Sequence, residues 1–213
     1  MIRLSTFRSV PPFVQGLVRD LRVRWALEEA GIPYETFAIG SDDQNSPDYR
    51  AMQPFGQVPA IDDDGFTLFE SGAIVMRIAE RSGTLLPSNP DARSRAIAWM
   101  FAALNTIEPH IQNLTLIDLF YANEEWAKLR RPRALELAQS RLDSLATWLK
   151  GRDYLDESFS AADLLMTTVL RTPRHIDLIA KMPMLENYRL RCEARPAFKR
   201  ALDAHMADFE KAA

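Results

Sequence analysis

Phe55-Gly56-Gln57-Val58-Pro59-Ala60-Ile61, continued by Asp62-Asp63-Asp64-Gly65 and Phe66 to Phe69 and closed by Glu70-Ser71-Gly72-Ala73-Ile74, decides how this chain is read. Gly56 opens the stretch as a tight turn, and Pro59 heads a short apolar run. Asp62 to Gly65 reads as a reversal and Phe66 to Phe69 as the return strand. Proline cannot donate to a ladder, so Pro59 belongs at a strand start, an edge or a cis bend where backbone stays open. Ser71 begins a helix with Ile74, Val75 and Ile78 on one face. The first turn of that helix carries unpaired amides and the positive end of the dipole, a place for a carboxylate. The same residues also make an ordinary hairpin with a serine cap, and composition alone leaves both readings open.

Outward from this stretch, the preceding residues alternate strand and helix signals. Ile2, Leu4 and Phe7 predict a short buried strand, and Arg8 to Gly16 a turn-rich connection containing Pro11 and Pro12. Leu17, Leu21 and Trp25 predict a helix over 17–30, with Gly31 as its terminator. Arg19, Arg22 and Arg24 then fall on a solvated or ligand-facing side of it. A second strand over 32–39 and a short helix over 48–52 complete the order β-α-β-α-β-β-α, ending near Arg81. No Gly-rich phosphate fingerprint accompanies it, which argues against a dinucleotide fold. Residues 82–90, with Pro87 and Pro90, read as a linker.

Beyond it the chain turns helical. A long helix is expected over 91–119, kinked or broken at Pro109, and another over 123–150. Ser160 and Asp163 form a capping-box pair, a folding signal to which no chemistry is assigned. Helices are expected again from Pro183 toward Arg195 and from Pro196 onward. With 213 residues the chain has enough length for one or two domains.

The formal charge of −3 gives no electrostatic case for nucleic acid. A single cysteine, Cys192, excludes an intrachain disulfide framework and fits a reducing compartment. No signal-peptide pattern precedes Pro11-Pro12, and no apolar run approaches ~20 residues, so a cytoplasmic protein without a membrane span is expected. His110, His175 and His205 show no metal-ligand spacing, so no metal is expected.

Gly56-Gln57-Val58-Pro59 and Glu70-Ser71 resemble the cis-proline signature and acidic-serine pair of the cytosolic glutathione S-transferases, bacterial type. Leu21 to Glu29, Ser160-Ala161-Ala162-Asp163, Met182 to Tyr188 and Arg195-Pro196-Ala197-Phe198 extend the likeness over nearly the whole chain. The resemblance implies a thioredoxin-like α/β domain over 1–81, a linker over 82–90 and an all-helical domain over 91–213. It implies a homodimer using glutathione as co-substrate, without metal or nucleotide, and acting on a small-molecule electrophile.

It also implies roles. Val58 beside cis-Pro59 pairs with the cysteinyl backbone of glutathione. Ser71 and the helix-start amides take the γ-glutamyl carboxylate, Glu70 helps hold the amine, and Gln57 (or Gln53) meets the glycyl end. Relatives carry a Tyr, Ser or Cys near the first helix to hold the thiolate. Counting back from Leu21 gives Val18 and Arg19 there, while counting forward from the first strand leaves Ser9 as the one hydroxyl of the connection. Ser9 is the first candidate for thiolate stabilisation, Arg19 the second and Gln15 the third. Phe13, Gln15, Trp99, Asn105 and His110 are candidates for contacts with the electrophile, in a pocket expected between the domains. The leading reading is conjugation; glutathione-dependent reduction or dehalogenation, and a non-catalytic binding scaffold, are the alternatives.

Overall fold

The computed structural model describes residues 1–210. Its contacts divide the chain into two compact units, Met1–Leu86 with the chain from Ala194 onward, and Pro87–Glu193. In the first, β1 (Ile2–Phe7), α1 (Asp20–Ala30), β2 (Tyr34–Ile39), α2 (Pro47–Met52), β3 (Ala60–Asp63), β4 (Phe66–Phe69) and α3 (Ser71–Ser82) follow the expected order. The sheet runs β2-β1-β3-β4, with β1 and β2 parallel and the two other pairings antiparallel. This is a thioredoxin-like arrangement. Leu4 and Ile61, paired across β1 and β3, are fully buried.

The first helix starts three residues later than its apolar spacing suggests, because 17–19 remain in turns. Gly31 ends it in the left-handed conformation, as expected of a terminator. The arginine side of α1 departs from expectation. Arg22 and Arg24 are 4% and 1% exposed, so neither lies on a solvated face. For Arg24 the reason is one partner a helical turn away and another remote in sequence. Arg24 Nε donates to Asp20 Oδ2 at 2.8 Å, and its Nη2 to Asp208 Oδ2 at 2.5 Å. Asp208 also receives the Thr36 hydroxyl of β2.

Asp208 lies on α9 (Pro196–Glu210), which packs on α1. Trp25 meets Phe198 edge-on at 4.7 Å, and Arg195 clasps Glu29 through two bonds of 2.6 and 2.8 Å. His205, fully buried, faces Asp20 Oδ2 at 3.0 Å, and the Thr6 hydroxyl of β1 reaches the same oxygen at 3.2 Å.

The second unit is all-helical: α4 (Pro90–Phe101), α5 (Glu108–Phe120), α6 (Glu125–Trp148), α7 (Ala161–Leu170) and α8 (Pro183–Glu193). Between α4 and α5 the backbone passes through a π-helical segment, Ala102–Ile107. The irregularity expected at Pro109 therefore falls earlier. Pro109 follows directly in a backbone that stays helical from α4 through the π segment into α5, so its missing N–H removes an intrahelical bond next to the irregularity. The capping box forms as expected: Asp163 Oδ2 accepts the Ser160 amide at 2.9 Å while Ser160 Oγ accepts from Ala162. Tyr188 of α8 donates to the other Asp163 oxygen at 2.9 Å, tying α8 to the cap.

Burial would by itself raise the Asp20 carboxyl, but the hydrogen bond from His205 and the bond and charge of Arg24 outweigh it and hold the group below its ordinary value of 3.8. A carboxyl depressed in the folded state contributes stability that is present above 3.8 and lost as pH falls through its lower folded value. Asp20→Asn is expected to cost roughly 3–5 kcal/mol at neutral pH by stripping charge from a buried pair. Urea titrations of both proteins should show that gap constant above pH 5 and shrinking below about pH 4.

Candidate functional site

The site begins where β3 begins. Val58–Pro59 is a cis peptide, as expected, and the β3–β4 ladder opens only at Ala60, opposite Phe69. The register therefore sets Val58 and Pro59 beside Glu70 and Ser71, which follow Phe69 directly. Gly56 makes the approach possible. Its φ is +63°, and a Cβ there would stand 2.6 Å from the Gln44 carbonyl oxygen. Only glycine fits both the conformation and the space.

A run of hydroxyls fixes this bend from beneath. Tyr49 Oη donates to the Gln57 carbonyl at 2.6 Å, the Ser5 and Tyr49 hydroxyls lie 2.9 Å apart, and the Ala60 amide donates to Ser5 Oγ at 2.7 Å. Since Tyr49 spends its proton on Gln57, Ser5 must donate to Tyr49, and the chain has one consistent direction. It brackets the cis bend on both sides. Burial pushes the Tyr49 hydroxyl up, against the Ser5 bond, which favours the protonated donor.

At the other side of the site, α3 starts on a constrained residue. Glu70 has φ +69° and ψ 113°, a region costly to any residue with a Cβ, and its side chain is exposed and caps nothing. Ser71 is buried, and its Oγ accepts from Arg22 Nη1 of α1 at 3.2 Å. A hydroxyl that accepts from a guanidinium keeps its own proton to donate, so the start of α3 offers an O–H, helix amides and a nearby positive charge.

Val58 packs in an apolar cluster with Val18, Ile39, Tyr49 and Phe209, joined by Phe7, Val10, Val14 and Phe37. This brings the Arg8–Arg19 connection against the cis bend through its three valines. Ser9 is exposed, next to Val10; Arg19 is half-buried at the N-cap of α1. Gln15 is half-buried and Phe13 exposed in the same connection. Gln57 is exposed beside Val58, whereas the Gln53 side-chain oxygen is taken up by the Phe55 amide at 2.7 Å. In the second unit, Trp99 stacks on Trp148 at 5.2 Å, Asn105 is exposed in the π segment, and His110 is half-buried in the first turn of α5.

Sequence reading missed Ser5, Tyr49 and Asp20, and it placed Arg22 on a solvated or ligand-facing helix side without pairing it to Ser71. The Ser5–Tyr49 and Arg22–Ser71 partners lie 44 and 49 residues apart, beyond any local pattern. Their one local trace is polar residues inside otherwise apolar elements. Among the described residues no group of three or more His, Cys, Asp or Glu could hold a metal ion. No described helix is long and apolar enough to cross a membrane.

Comparison with known proteins agrees with this geometry. Residues 15–80 match the family described as glutathione S-transferase, N-terminal domain. The disulfide-bond oxidoreductase YfcG of Escherichia coli K12 is 30% identical over 193 residues, covering 83% of this chain and 86% of that one. The maleylacetoacetate isomerase of Rhizobium meliloti strain 1021 is 32% identical, covering 84% and 89%. Among solved structures, a Pseudomonas putida glutathione transferase with one glutathione disulfide bound per subunit superposes with TM-score 0.83 at 26% identity, covering 94% and 90%. One from Burkholderia graminis, with two glutathione molecules bound per subunit, gives 0.83 at 28%, covering 95% and 88%. The chain belongs to the glutathione S-transferase superfamily.

Ser5→Ala is expected to cost about 1–3 kcal/mol, because the buried Ala60 amide loses its acceptor. Combined with Tyr49→Phe, the cost should fall short of the sum of the two single changes, since both break one chain. Equilibrium denaturation of the four proteins in a double-mutant cycle measures this directly.

Proposed function

We propose that the protein is a glutathione transferase of bacterial type that joins the thiol of glutathione to small electrophiles. The observation that carries this reading is the pairing of an unladdered Val58–Pro59 bend with the α3 start, where Ser71 holds the buried Arg22. Glutathione is an elongated dianion with one amine and one thiol. Its cysteinyl backbone fits the open Val58 peptide, and its γ-glutamyl carboxylate fits the Ser71 hydroxyl and the α3 amides. Glu70, exposed at the helix start, receives the amine, and Gln57 reaches the glycyl end. Arg22 acts through Ser71, turning the hydroxyl proton outward.

In the reaction the thiolate sulfur attacks an electrophilic carbon. A C–S bond forms while a leaving group departs or the resulting carbanion takes a proton from water. The protein's share is to favour thiolate over thiol, for which Ser9 is the first candidate and Arg19 the second. The working assembly is a homodimer in the cytoplasm, which sedimentation at micromolar concentration tests.

A second enzymatic reading is glutathione-dependent reduction or dehalogenation. The oxidoreductase name of the Escherichia coli relative and the glutathione disulfide in the Pseudomonas putida structure favour it. Here Cys192 is fully buried in the helical unit, so the reducing electrons would come from glutathione thiols. Assay of conjugate against oxidised glutathione separates the two. In a scaffold without catalysis there would be no need to keep Glu70 and Ser71; absence of heat on titrating glutathione would favour that third reading.

Ser9→Ala is expected to leave glutathione affinity nearly unchanged and to raise the bound thiol's pKa. The rate near neutral pH should fall ~10- to 100-fold and recover in part at high pH. Arg19→Ala should be mild or should weaken binding. Thiolate absorbance in the ultraviolet, titrated against pH for each variant with glutathione bound, decides between them. A raised pKa in Arg19→Ala alone moves the role to Arg19.

A further inference from the structure

His205 stands at the meeting point of the terminal helix and the connection that carries Ser9 and Arg19. The Gly16 amide donates to its Nε2 at 3.2 Å, and its Nδ1 faces Asp20 Oδ2 at 3.0 Å. An amide hydrogen needs a lone pair, so Nε2 is bare, the ring proton sits on Nδ1, and Asp20 receives it. The ring has no exposed surface, and Phe209 closes it edge-on at 5.0 Å. Every part of this arrangement is enclosed.

Gly16 lies between Val14 and Val18, both packed in the cluster that contains Val58. Apolar contact holds those valines without fixing direction. Pro11 and Pro12 contribute no amide, the backbone bonds from Val14, Gln15 and Leu17 close local turns, and the Arg8 amide ties the start of the connection to the Ile39 carbonyl of β2. Gly16 itself sits at φ +79°, where the chain changes course. The bond to His205 spans 189 residues and gives that change of course an outside reference. We infer that His205 is a positioning residue for the proposed reaction. With its tautomer set by Asp20, it fixes Gly16, and through it the Arg8–Arg19 connection and its thiolate-stabilising group, against the Val58 peptide. The inference rests on the glutathione reading above.

Two substitutions divide the imidazole's tasks. The amide of asparagine occupies the place of Nδ1 and keeps the bond to Asp20 while losing the acceptor for Gly16. Glutamine reaches the place of Nε2 and keeps that acceptor. His205→Asn is expected to lower kcat for conjugation of a nitrohalobenzene ~10- to 100-fold and to raise the bound thiol's pKa, with glutathione Kd changed less than about twofold. His205→Gln should recover most of that rate. If His205→Asn does not fold, the nitrogen NMR spectrum of the wild-type histidines decides: a bare Nε2 and protonated Nδ1 on His205 support the inference, and a protonated Nε2 overturns it. A wild type that neither binds nor conjugates glutathione sinks the functional reading and this one with it. An active wild type, with both variants matching its rate and thiol pKa, sinks this inference alone.

Discussion

One carboxylate oxygen, Asp20 Oδ2, accepts from Thr6, Arg24 and His205 while fully enclosed. Removing a charge from water costs several kcal/mol per ion, and the loss is recovered only when every partner is in place. That condition couples β1, α1 and α9. It extends through Arg24 and Asp208 to Thr36 of β2, and through His205 to Gly16. The thioredoxin-like sheet is thus locked to its flanking helices by ionic geometry as well as by apolar packing, and the connection beside the candidate site is held by the same lock.

The site has a second, independent support in the Ala60–Ser5–Tyr49–Gln57 chain. The hydroxyl chain holds the bend that presents the Val58 peptide, while the ionic network holds the loop that lies against it. Both are anchored on buried groups, Ser5 and Tyr49 in the one and Asp20, Arg24 and His205 in the other. The residues left open, Ser9, Gln57 and Glu70, stand on backbone whose course is set from below. A ligand that meets such a surface need not pay to organise it.

Much of this was legible in sequence where the determinant was local. Gly56, Pro59, the Asp62–Gly65 reversal and the Ser160–Asp163 box each specify their own few residues, and each forms as read. Trp25 was placed correctly on an inner face because helical spacing reports burial of apolar groups. The same spacing misread Arg22 and Arg24. Periodicity assumes that charge faces water, and an arginine buried by partners on α9 and α3 breaks the assumption without changing the pattern. The π segment itself was not legible, since Ala102–Ile107 carries no breaker; the sequence marked the disturbance through Pro109, which follows that segment in the same helical run. Ser9 and Arg19 were named by counting, whereas the structure orders their connection through Val10, Val14, Val18 and Gly16.

The return of α9 to the first unit has a consequence in the order of synthesis. Asp20 and His205 are separated by 185 residues. At the ~5–20 residues per second of translation, the carboxylate waits roughly ten to forty seconds for its imidazole. Throughout that interval the sheet and α1 are present but Asp20, Arg24 and Trp25 lack the helix that covers them, while the helical unit emerges with its own contacts complete. Vectorial synthesis therefore inverts the order of the chain: the unit made first is finished last. A nascent chain stalled before α9 would expose that seam to chaperones, with the candidate glutathione-binding segment already made and its loop not yet fastened.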